Sequence, residues 1–478
     1  IDDLVIKDVD GDVLTSSTTP VLYKSGILPF SGFTAKTLHF TLGSSLTDLH
    51  GNAPYSYDSN TNSGIGGLIY GPSEPEPEQE PEPESEPEPE PEPEPHFSQL
   101  SDDINGEAQG DESGTSVAMS SDGTRIAIGA PRNTNNRGHV RVYDYDTTNG
   151  WTNVGDDIDG EASNERMGTS VAMDASGTRI VTSSVNDNNN NGIVRIYEYS
   201  NNSWSKLGDN IVDEASGDRS GDSVAMSSNG TRIAIGSPFG NTYVHGYTRV
   251  YEYSNNSWSK LGSNINGDYN SQSGTSVAMD ASGTRIAIGA YAYDTYRGHV
   301  RVYDWNGSSW TQVGSDIAGE NIYDSSGTSV AMSSDGSRIA IGATLNNGNG
   351  SDSGHVRVYD WNGSSWTKVG GDIDGEASND NSGGSVAMSS NGTRIAIGAR
   401  FNNQSKGHVR VYDYKIPTND EWTNGNVIKD GDSSQQADKY YWTQLLQDID
   451  GEIISDRSGC SIAMSSDGTK FTIGARYN

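Results

Sequence analysis

Short segments in which apolar and polar residues alternate recur along most of this chain. One unit contains four of them, here called a, b, c and d: Thr275–Met279, Arg285–Ala290, His299–Trp305 and Trp310–Ile317. Alternation with a period of two is typical of β-strands that bury one face. Tight turns such as Asp122-Gly123 connect a to b, and Asp-Gly or Asn-Gly pairs supply the positive φ that short hairpins need. The pattern predicts an all-β chain built from four-stranded antiparallel units.

This unit is repeated. Its most constant part, Ser-Val/Ile-Ala-Met in strand a, begins at seven positions: Ser116, Ser170, Ser223, Ser276, Ser329, Ser385 and Ser461. The spacings are 54, 53, 53, 53, 56 and 76 residues. Four-stranded repeats of roughly 40–50 residues are typical of β-propellers. The sequence therefore predicts a seven-bladed β-propeller over residues 97–478.

The two ends of the repeat array are predicted to share one blade. Phe97–Ile104 matches Trp310–Ile317 position for position, so it is predicted to be the outer strand that closes blade seven beside Ser461–Ala475. Strand c occurs only six times, because Asn478 comes where the seventh copy is due. Two explanations stay open. Either the polypeptide continues beyond Asn478, or blade seven takes a strand from residues 1–70 or from a neighbouring molecule.

The N-terminal part of the chain lacks the repeat. Residues 1–72 are predicted to be a β-rich segment, and Leu38–Pro54 resembles the closing strands of a bacterial Ig-like domain. This resemblance implies that the first half of that domain lies upstream of Ile1. Because the sequence begins at Ile1 with neither an initiator Met nor a signal-peptide pattern, we expect a processed product or a fragment of something longer. Residues 73–96 are almost entirely Glu and Pro, which predicts an extended, semi-rigid linker.

The repeat also resembles a known family. Three segments carry the similarity, in this order: Ser-Gly-Thr-Ser-Val-Ala, Ile-Ala-Ile-Gly-Ala-Pro131 and Gly138-His-Val-Arg-Val-Tyr143. Together they are similar to the FG-GAP repeat of integrin-α-type propellers. The resemblance implies seven blades, an extracellular role in recognition or adhesion, and ligands on the face formed by the d–a and b–c connections. Many FG-GAP repeats carry a calcium loop between strands a and b. Here short turns occupy that place, so no cofactor is predicted, and calcium on those loops is not carried over.

Composition narrows the classes of partner. The formal net charge is −34, which disfavours nucleic acid because phosphate binding needs clustered Lys and Arg. No apolar run approaches the roughly 20 residues that a membrane-spanning helix requires. The single cysteine, Cys460, occupies a threonine position of the repeat and is predicted to be a small buried residue.

Acidic residues recur in the d–a connections, at Asp103/Glu107, Asp157/Glu161, Glu214, Asp268, Asp316/Glu320, Asp372/Glu376 and Asp448/Glu452. Strand b begins with a basic residue in every repeat, at Arg125, Arg179, Arg232, Arg285, Arg338, Arg394 and Lys470. We predict one structural ion pair between these two sets, or one loop cap, per blade rather than a ring of metal sites, and we expect the Asp and Glu residues to hold the turns. Four histidines begin strand c, His139, His299, His355 and His408, and are predicted to pack rather than to bind zinc.

Departures from the repeat are the candidate binding residues. The b–c connections differ between blades, and three of them gather aromatic and basic side chains: Phe239, Tyr243, His245, Tyr291, Tyr293, Tyr296, Arg297, Arg400 and Phe401. Stacking aromatics beside amides suit sugar or peptide recognition, although drifting surface loops explain them nearly as well. The second departure is the long insertion Lys415–Tyr441 between strands c and d of the sixth copy, which could dock a partner.

Two further kinds of site have sequence signals. Asp8, Asp10 and Asp12 surround Gly11 with alternating carboxylates, a weak calcium-loop candidate that an ordinary turn also explains. Asn201, Asn255, Asn306 and Asn362 are N-glycosylation candidates in the accessible c–d hairpins.

Together these patterns predict an extracellular or cell-surface, non-enzymatic adhesion or recognition module that binds a protein or glycan of a cell surface or matrix. The first alternative is a structural subunit of a polymeric appendage or matrix that self-assembles through residues 1–70 or the 415–441 insertion. The second is a propeller enzyme that acts on polysaccharide.

Overall fold

The structure is a computed structural model. It describes two short strands near the N terminus and residues 97–478, apart from 187–190, 213–216, 241–243 and 433. The chain divides into two units, Ile1–Glu90 and Pro91–Asn478. In the first unit β1 (Val5–Lys7) pairs antiparallel with β2 (His39–Thr41). The Glu-Pro linker, Asp8, Asp10 and Asp12, and the rest of the segment that resembles an Ig-like domain lie outside the described residues.

The second unit contains six five-stranded sheets, which are the blades. Blade 1 consists of β3 (Ser116–Met119), β4 (Arg125–Ala130), β5 (His139–Asp146), β6 (Gly150–Asn153) and β7 (Ile158–Asp159). Blade 2 consists of β8 (Met167–Met173), β9 (Arg179–Ser184), β10 (Ile193–Ser200), β11 (Ser203–Lys206) and β12 (Ile211–Val212). Blade 3 consists of β13 (Ser223–Met226), β14 (Arg232–Ser237), β15 (Tyr247–Ser254), β16 (Ser257–Lys260) and β17 (Ile265–Asn266). Blade 4 consists of β18 (Ser276–Met279), β19 (Arg285–Ala290), β20 (His299–Trp305), β21 (Trp310–Gln312) and β22 (Ile317–Ala318). Blade 5 consists of β23 (Ser326–Met332), β24 (Arg338–Ala343), β25 (His355–Trp361), β26 (Trp366–Lys368) and β27 (Ile373–Asp374). Blade 6 consists of β28 (Ser385–Met388), β29 (Arg394–Ala399), β30 (His408–Lys415), β31 (Tyr441–Gln444) and β32 (Ile449–Asp450).

The strands of each blade lie in the order a, b, c, d, all antiparallel, as the alternation predicts. The fifth strand, here called e, has two residues and pairs with the start of strand c. It lies along the same edge of strand c as strand d, beyond the point where strand d ends. Among the described residues, three connections contain one-turn helical segments, Asn133–Asn136, Tyr293–Tyr296 and Asn402–Ser405. None of the helices in the described part of the chain is long and apolar enough to cross a membrane.

Strand b is the most buried part of each blade. In blade 6, Ile395, Ala396 and Ile397 are at most 1% exposed. Both faces of this strand are covered, because each sheet packs between the sheets of its neighbours, so the strand has an Ile-Ala-Ile-Gly-Ala run instead of strict alternation. The apolar clusters of the propeller lie between consecutive blades, and Ala and Gly allow the sheets to come close.

The prediction of seven blades is wrong: the described residues form six. The seventh copy of the repeat is a two-stranded hairpin of β33 (Ser458–Met464) and β34 (Phe471–Ala475). The predicted closing segment, residues 97–104, forms no strand. The physical reason is that all six strand c segments belong to the six blades, so an outer strand has no neighbour in this sector with which to form a ladder.

The hairpin nevertheless completes the ring. At the a–b turns, seven backbone hydrogen bonds of 2.8–2.9 Å run from each repeat to the next: Ser121 to Ala175, Ser228, Ala281, Ser334, Ser390, Ser466 and back to Ser121. Ser461 Oγ also donates to Gly114 O at 2.8 Å, as Ser385 Oγ does to Gly459 O. The propeller is therefore closed on its inner side by six blades and one hairpin.

The strand b arginines form an ion pair in each blade, but not with the predicted partner. Arg394 binds Asp413 of strand c through two hydrogen bonds of 2.6 and 2.8 Å, and it donates to Gly468 O in the a–b turn of the next repeat. Arg394 lies directly opposite Asp413 in the sheet, whereas the d–a connections lie at the other end of the strand. These arginines therefore join each blade to the next, and the acids of the d–a connections are free for other contacts.

The insertion Lys415–Tyr441 packs back onto blade 6. Its helix, Asn419–Asn424, begins with a capping box between Thr418 and Glu421. Trp422 contacts Tyr441 edge to face at 5.3 Å, and Ile428 N donates to Trp442 O at 2.8 Å. Whether this insertion also serves self-assembly stays a prediction.

Candidate functional site

In the described part of the chain, four groups of three side chains gather where strand c begins. Each group has one histidine and two carboxylates whose nitrogen and oxygen atoms lie within 4.8 Å of one another. We call them His–carboxylate clusters 1, 4, 5 and 6, after their blades: Glu107, His139 and Asp157; Asp268, His299 and Asp316; Glu320, His355 and Asp372; Glu376, His408 and Asp448. All four lie on the face formed by the b–c and d–a connections.

The repeat itself builds these clusters. Strand e pairs with the first two residues of strand c, so in blade 1 His139 lies opposite Asp159. Asp157 lies immediately before strand e in the sequence. The other carboxylate, Glu107, comes from the connection that precedes the blade. Arg141, two residues after His139, holds that connection by donating from Nη2 to Asn105 O at 2.6 Å. Arg410 does the same in blade 6, through Asp374 O at 2.9 Å.

In clusters 1 and 6 the histidine Nδ1 atom faces both carboxylates. His139 Nδ1 lies 3.7 Å from Glu107 Oε2 and 3.8 Å from Asp157 Oδ2. His408 Nδ1 lies 3.6 Å from Glu376 Oε2 and 3.4 Å from Asp448 Oδ2. These distances are too long for hydrogen bonds. They resemble the spacing of donor atoms around a tetrahedral metal ion, roughly 3.4 Å for ligands about 2.1 Å from the ion.

The imidazoles are buried and the carboxylates reach solvent. The His139 and His408 side chains are 1% exposed, whereas Glu107 and Glu376 are 47% and 44% exposed. Burial lowers the pKa of all four histidines, to about 4 for His299 and His355, because the imidazolium loses its hydration. The imidazoles are therefore neutral at neutral pH, which is the form that binds metals.

Cluster 6 also brings two carboxylates together. Burial raises the pKa of Glu376, and the nearby Asp448 carboxylate raises it further. Arg410 Nη1 is 3.9 Å from Glu376 Oε1, at the limit of an ion pair. Within the described residues, no Lys or Arg forms an ion pair with Asp448, or with Glu107 and Asp157 of cluster 1. Both clusters thus have an excess of negative charge on one side of a buried donor nitrogen.

Clusters 4 and 5 differ because protein cations reach their carboxylates. Arg301 Nη2 lies 2.5 Å from Asp268 Oδ2 and 2.8 Å from Asp316 Oδ2. In cluster 5, Lys368 Nζ lies 3.1 Å from Asp372 Oδ1. In these two clusters the chain itself supplies a cation that contacts the carboxylates.

Blades 2 and 3 replace the histidine. Ile193 stands at that position in blade 2, and the Arg195 guanidinium there contacts both Glu161 and the fully buried Glu165. In blade 3, Tyr247 Oη donates to Asp218 Oδ2 at 2.7 Å. The same connection therefore holds either a His–carboxylate cluster or an internal hydrogen-bond network.

The aromatic and basic candidates from the b–c connections form separate pairs rather than one described site. Phe239 packs under Arg219 at 5.0 Å, and His245 contacts Tyr269 at 5.8 Å. Phe401 packs under Arg400 at 5.0 Å. Tyr243 lies outside the described residues. The role of these residues in binding stays a prediction.

The third connection of this kind lies in blade 4. Tyr291 and Tyr296 contact each other at 6.0 Å, and Arg297 Nε lies 3.1 Å from Asp294. The Tyr293 ring contacts the His299 ring at a centroid distance of 4.4 Å, with the two planes tilted by 53°. One predicted binding residue thus contacts a histidine of cluster 4, a connection that the sequence did not suggest.

The glycosylation candidates Asn201, Asn255, Asn306 and Asn362 are exposed in the c–d hairpins, and their modification stays a prediction.

Sequence reasoning missed a second set of acids, which hold the d–a turns by accepting backbone hydrogen bonds. Asp111 accepts from Ala108 N at 2.8 Å, and Asp380 from Ala377 N at 2.8 Å. The signal was present, because these aspartates follow Glu107 and Glu376 by four residues.

Comparisons with known proteins find similarity among solved structures. No protein-family model and no curated protein sequence matches the chain. Among solved structures, it is similar to a candidate 6-phosphogluconolactonase from Bacteroides uniformis, with a TM-score of 0.49 and 11% identity over 75% of this chain and 88% of the other. A hydrazine synthase chain from Kuenenia stuttgartiensis has a TM-score of 0.49 and 14% identity, over 78% and 98% of the two chains. A second candidate 6-phosphogluconolactonase, from Bacteroides fragilis, has a TM-score of 0.48 and 10% identity, over 75% and 86%.

These findings correct the function predicted from the sequence. The prediction of an extracellular adhesion or recognition module is contradicted; the similar structures are candidate phosphogluconolactonases and a hydrazine synthase. At such low identities the likeness concerns the fold and does not transfer those activities. The FG-GAP resemblance has no matching family model. A non-enzymatic role and an extracellular location stay predictions. The chain is an all-β propeller whose described part has six blades.

Proposed function

We propose that this propeller is a non-catalytic binder of divalent transition-metal ions, held at His–carboxylate clusters 1 and 6. One observation carries the proposal: a buried, neutral imidazole faces two surface carboxylates from consecutive connections, at separations that fit metal ligands. Neither cluster has a lysine or arginine nitrogen closer than 3.9 Å to its carboxylates among the described residues. A cation would supply the missing positive charge.

The donor set selects the class of ion. Imidazole nitrogen suits zinc, iron and nickel, whereas calcium and magnesium prefer oxygen ligands. One nitrogen and two carboxylate oxygens would leave a fourth position for water in a tetrahedral site. The exposed side of each cluster provides that position, since Glu107 and Glu376 are nearly half exposed.

The test counts zinc ions in metal-stripped protein by equilibrium dialysis followed by elemental analysis. We expect two tightly bound ions per chain. Asp157→Asn and Asp448→Asn should each weaken one ion by at least roughly tenfold, because each isosteric change removes one charged ligand. The double variant should retain neither ion.

Matched controls are available within the repeat. Asp316→Asn and Asp372→Asn alter clusters 4 and 5, where Arg301 and Lys368 already form ion pairs with these two carboxylates, so zinc binding should not change. Retention of both ions in the double variant would contradict the proposal. Equal losses in the control variants would also contradict it, because binding would then follow surface charge in general. Calcium should not compete at equal concentration.

A further inference from the structure

Cluster 5 has a lysine where cluster 6 has a glutamine. Lys368 ends strand d of blade 5, and its Nζ atom donates to Asp372 Oδ1 at 3.1 Å. Gln444 ends strand d of blade 6, and its Nε2 atom donates to Asp448 Oδ1 at 2.7 Å. Both residues lie at the same place in the sheet, opposite the tyrosine of strand c. The same hydrogen bond is therefore made with a positive charge in one blade and without it in the next.

The ligand side chains of the two clusters match closely. The side chains of His355 and His408 are both 1% exposed. Glu320 and Glu376 are 41% and 44% exposed. Each glutamate has an arginine nitrogen near it, at 3.8 Å in cluster 5 and at 3.9 Å in cluster 6. The buried nitrogen donor and the exposed carboxylate thus do not distinguish the two clusters.

The charges around the ligands match as well. Arg357 Nη2 donates to Ala318 O at 2.9 Å. Arg410 Nη2 makes the equivalent bond to Asp374 O, also at 2.9 Å. Strand e places an aspartate opposite the histidine in both blades, Asp374 in blade 5 and Asp450 in blade 6. The lysine of strand d is therefore the charged group that separates cluster 5 from cluster 6.

The lysine charge reaches the other members of cluster 5. Burial and the nearby cations Arg357 and Lys368 lower the pKa of His355 to about 4. Burial raises the pKa of Asp374, and the Lys368 ammonium opposes that rise. A zinc ion lies about 2 Å from a carboxylate oxygen that binds it, so an ion on Asp372 would meet this ammonium at close range. The ammonium also competes with the ion for the same carboxylate.

We propose that cluster 5 is a third zinc site, which Lys368 blocks by holding its ammonium group against Asp372. Lys368 therefore determines how many ions the chain binds. This inference rests on the proposed zinc binding at clusters 1 and 6.

Cluster 4 shows that the block belongs to the cation and not to the shape of the turn. Gln312 stands at the lysine position of blade 4, and its Nε2 atom donates to Asp316 Oδ1 at 2.8 Å. In this blade Arg301 contacts both carboxylates instead. Glutamine is thus accepted at this position in two blades, which makes Lys368→Gln a conservative change.

The test counts zinc ions in metal-stripped Lys368→Gln protein by equilibrium dialysis and elemental analysis, beside the unchanged chain. We expect three bound ions instead of two, because glutamine keeps a hydrogen bond to Asp372 and removes the charge. Cluster 5 should gain at least roughly tenfold in zinc affinity. Lys368→Gln combined with Asp372→Asn should return the count to two, which would assign the third ion to cluster 5.

The reverse exchange applies the same rule to cluster 6. Gln444→Lys should weaken the ion of that cluster by at least roughly tenfold, so that one tightly bound ion remains. Two controls use the same position in other blades. Lys206→Gln removes the lysine of blade 2, where Ile193 replaces the histidine, and should add no ion. Gln312→Lys should leave the count unchanged, because Arg301 already contacts both carboxylates there. Thermal unfolding checks that each variant is folded.

The outcomes separate this inference from the function on which it rests. Two ions in both the unchanged chain and folded Lys368→Gln would overturn the role of Lys368 and leave the sites at clusters 1 and 6 intact. An unchanged count in folded Gln444→Lys would overturn it in the same way. A third ion in Lys206→Gln as well as in Lys368→Gln would show that overall charge sets the count. Zinc bound by neither the unchanged chain nor Lys368→Gln would overturn both proposals.

Discussion

Replacing Gly342 with alanine should destabilise the propeller by about 3 kcal/mol or more, or prevent it from folding. Gly342 lies in strand b of blade 5, where the next blade approaches most closely. A Cβ atom at this position would lie 2.1 Å from Gly383 O and 2.5 Å from Ser329 Oγ. The nearer of these two atoms, Gly383 O, belongs to the backbone, so the clash can be relieved only if the two blades move apart.

The same close approach recurs around the ring. Added Cβ atoms on Gly129, Gly236, Gly289, Gly398 and Gly474 would come within 2.0–2.2 Å of a glycine carbonyl oxygen in the next repeat. The last of these is in the hairpin and faces Gly114, so the hairpin packs as tightly as a blade. Blade 2 has Ser183 at the position of these glycines. Ser170, the first residue of strand a's Ser-Val-Ala-Met segment in this blade, accepts a hydrogen bond from Val224 N through its Oγ.

The control for this prediction is Gly384→Ala. Its Cβ would meet Asn381 O at 3.5 Å and Thr344 Cγ2 at 3.9 Å, which are ordinary contacts. We expect a change within about 0.5 kcal/mol. Thermal and denaturant unfolding, followed by circular dichroism, measure both variants. Equal stability of the two variants would mean that adjacent blades adjust to each other more easily than this packing implies.

Local pattern was enough to predict the strands and the propeller. Strand a, the a–b turn and strand b are close in sequence, and their alternation and Gly-containing turns act over short distances. The number of blades depends on a different kind of information, because a blade needs a third strand. Phe97–Ile104 matches strand d residue by residue, yet it forms no strand without a neighbour. Sequence similarity alone therefore overestimated the number of blades.

The His–carboxylate clusters escaped prediction because their members are distant in the sequence. Glu107 and Asp157 belong to different connections, and a two-residue strand e brings the second beside His139. Such a short strand has no recognisable alternation. The acids and histidines were each noticed, but the acids were paired with strand b arginines at the opposite end of the sheet. The sheet register, rather than composition, decided which charges meet.

The insertion in blade 6 explains why one tryptophan is buried more than its equivalents. Strand d tryptophans bind the preceding blade: Trp310 Nε1 donates to Leu261 O at 2.9 Å, and Trp442 Nε1 to Val369 O at 3.0 Å. Trp310 is half-buried, whereas Trp442 is fully buried. Ile428 of the insertion packs against the apolar cluster that contains Trp442. The insertion thus covers a junction between two blades.

Trp442→Ala is therefore expected to cost about 3–5 kcal/mol of unfolding free energy, since it leaves a large cavity under the insertion. Trp310→Ala should cost clearly less, because that ring is already partly in water. Trp442→Phe keeps most of the apolar volume and removes the hydrogen bond to Val369 O, so we expect a loss of about 1 kcal/mol. Thermal unfolding of the three variants gives the order. If Trp310→Ala were as costly as Trp442→Ala, the bond between blades would matter more than burial, and the insertion would not be a stabilising cover.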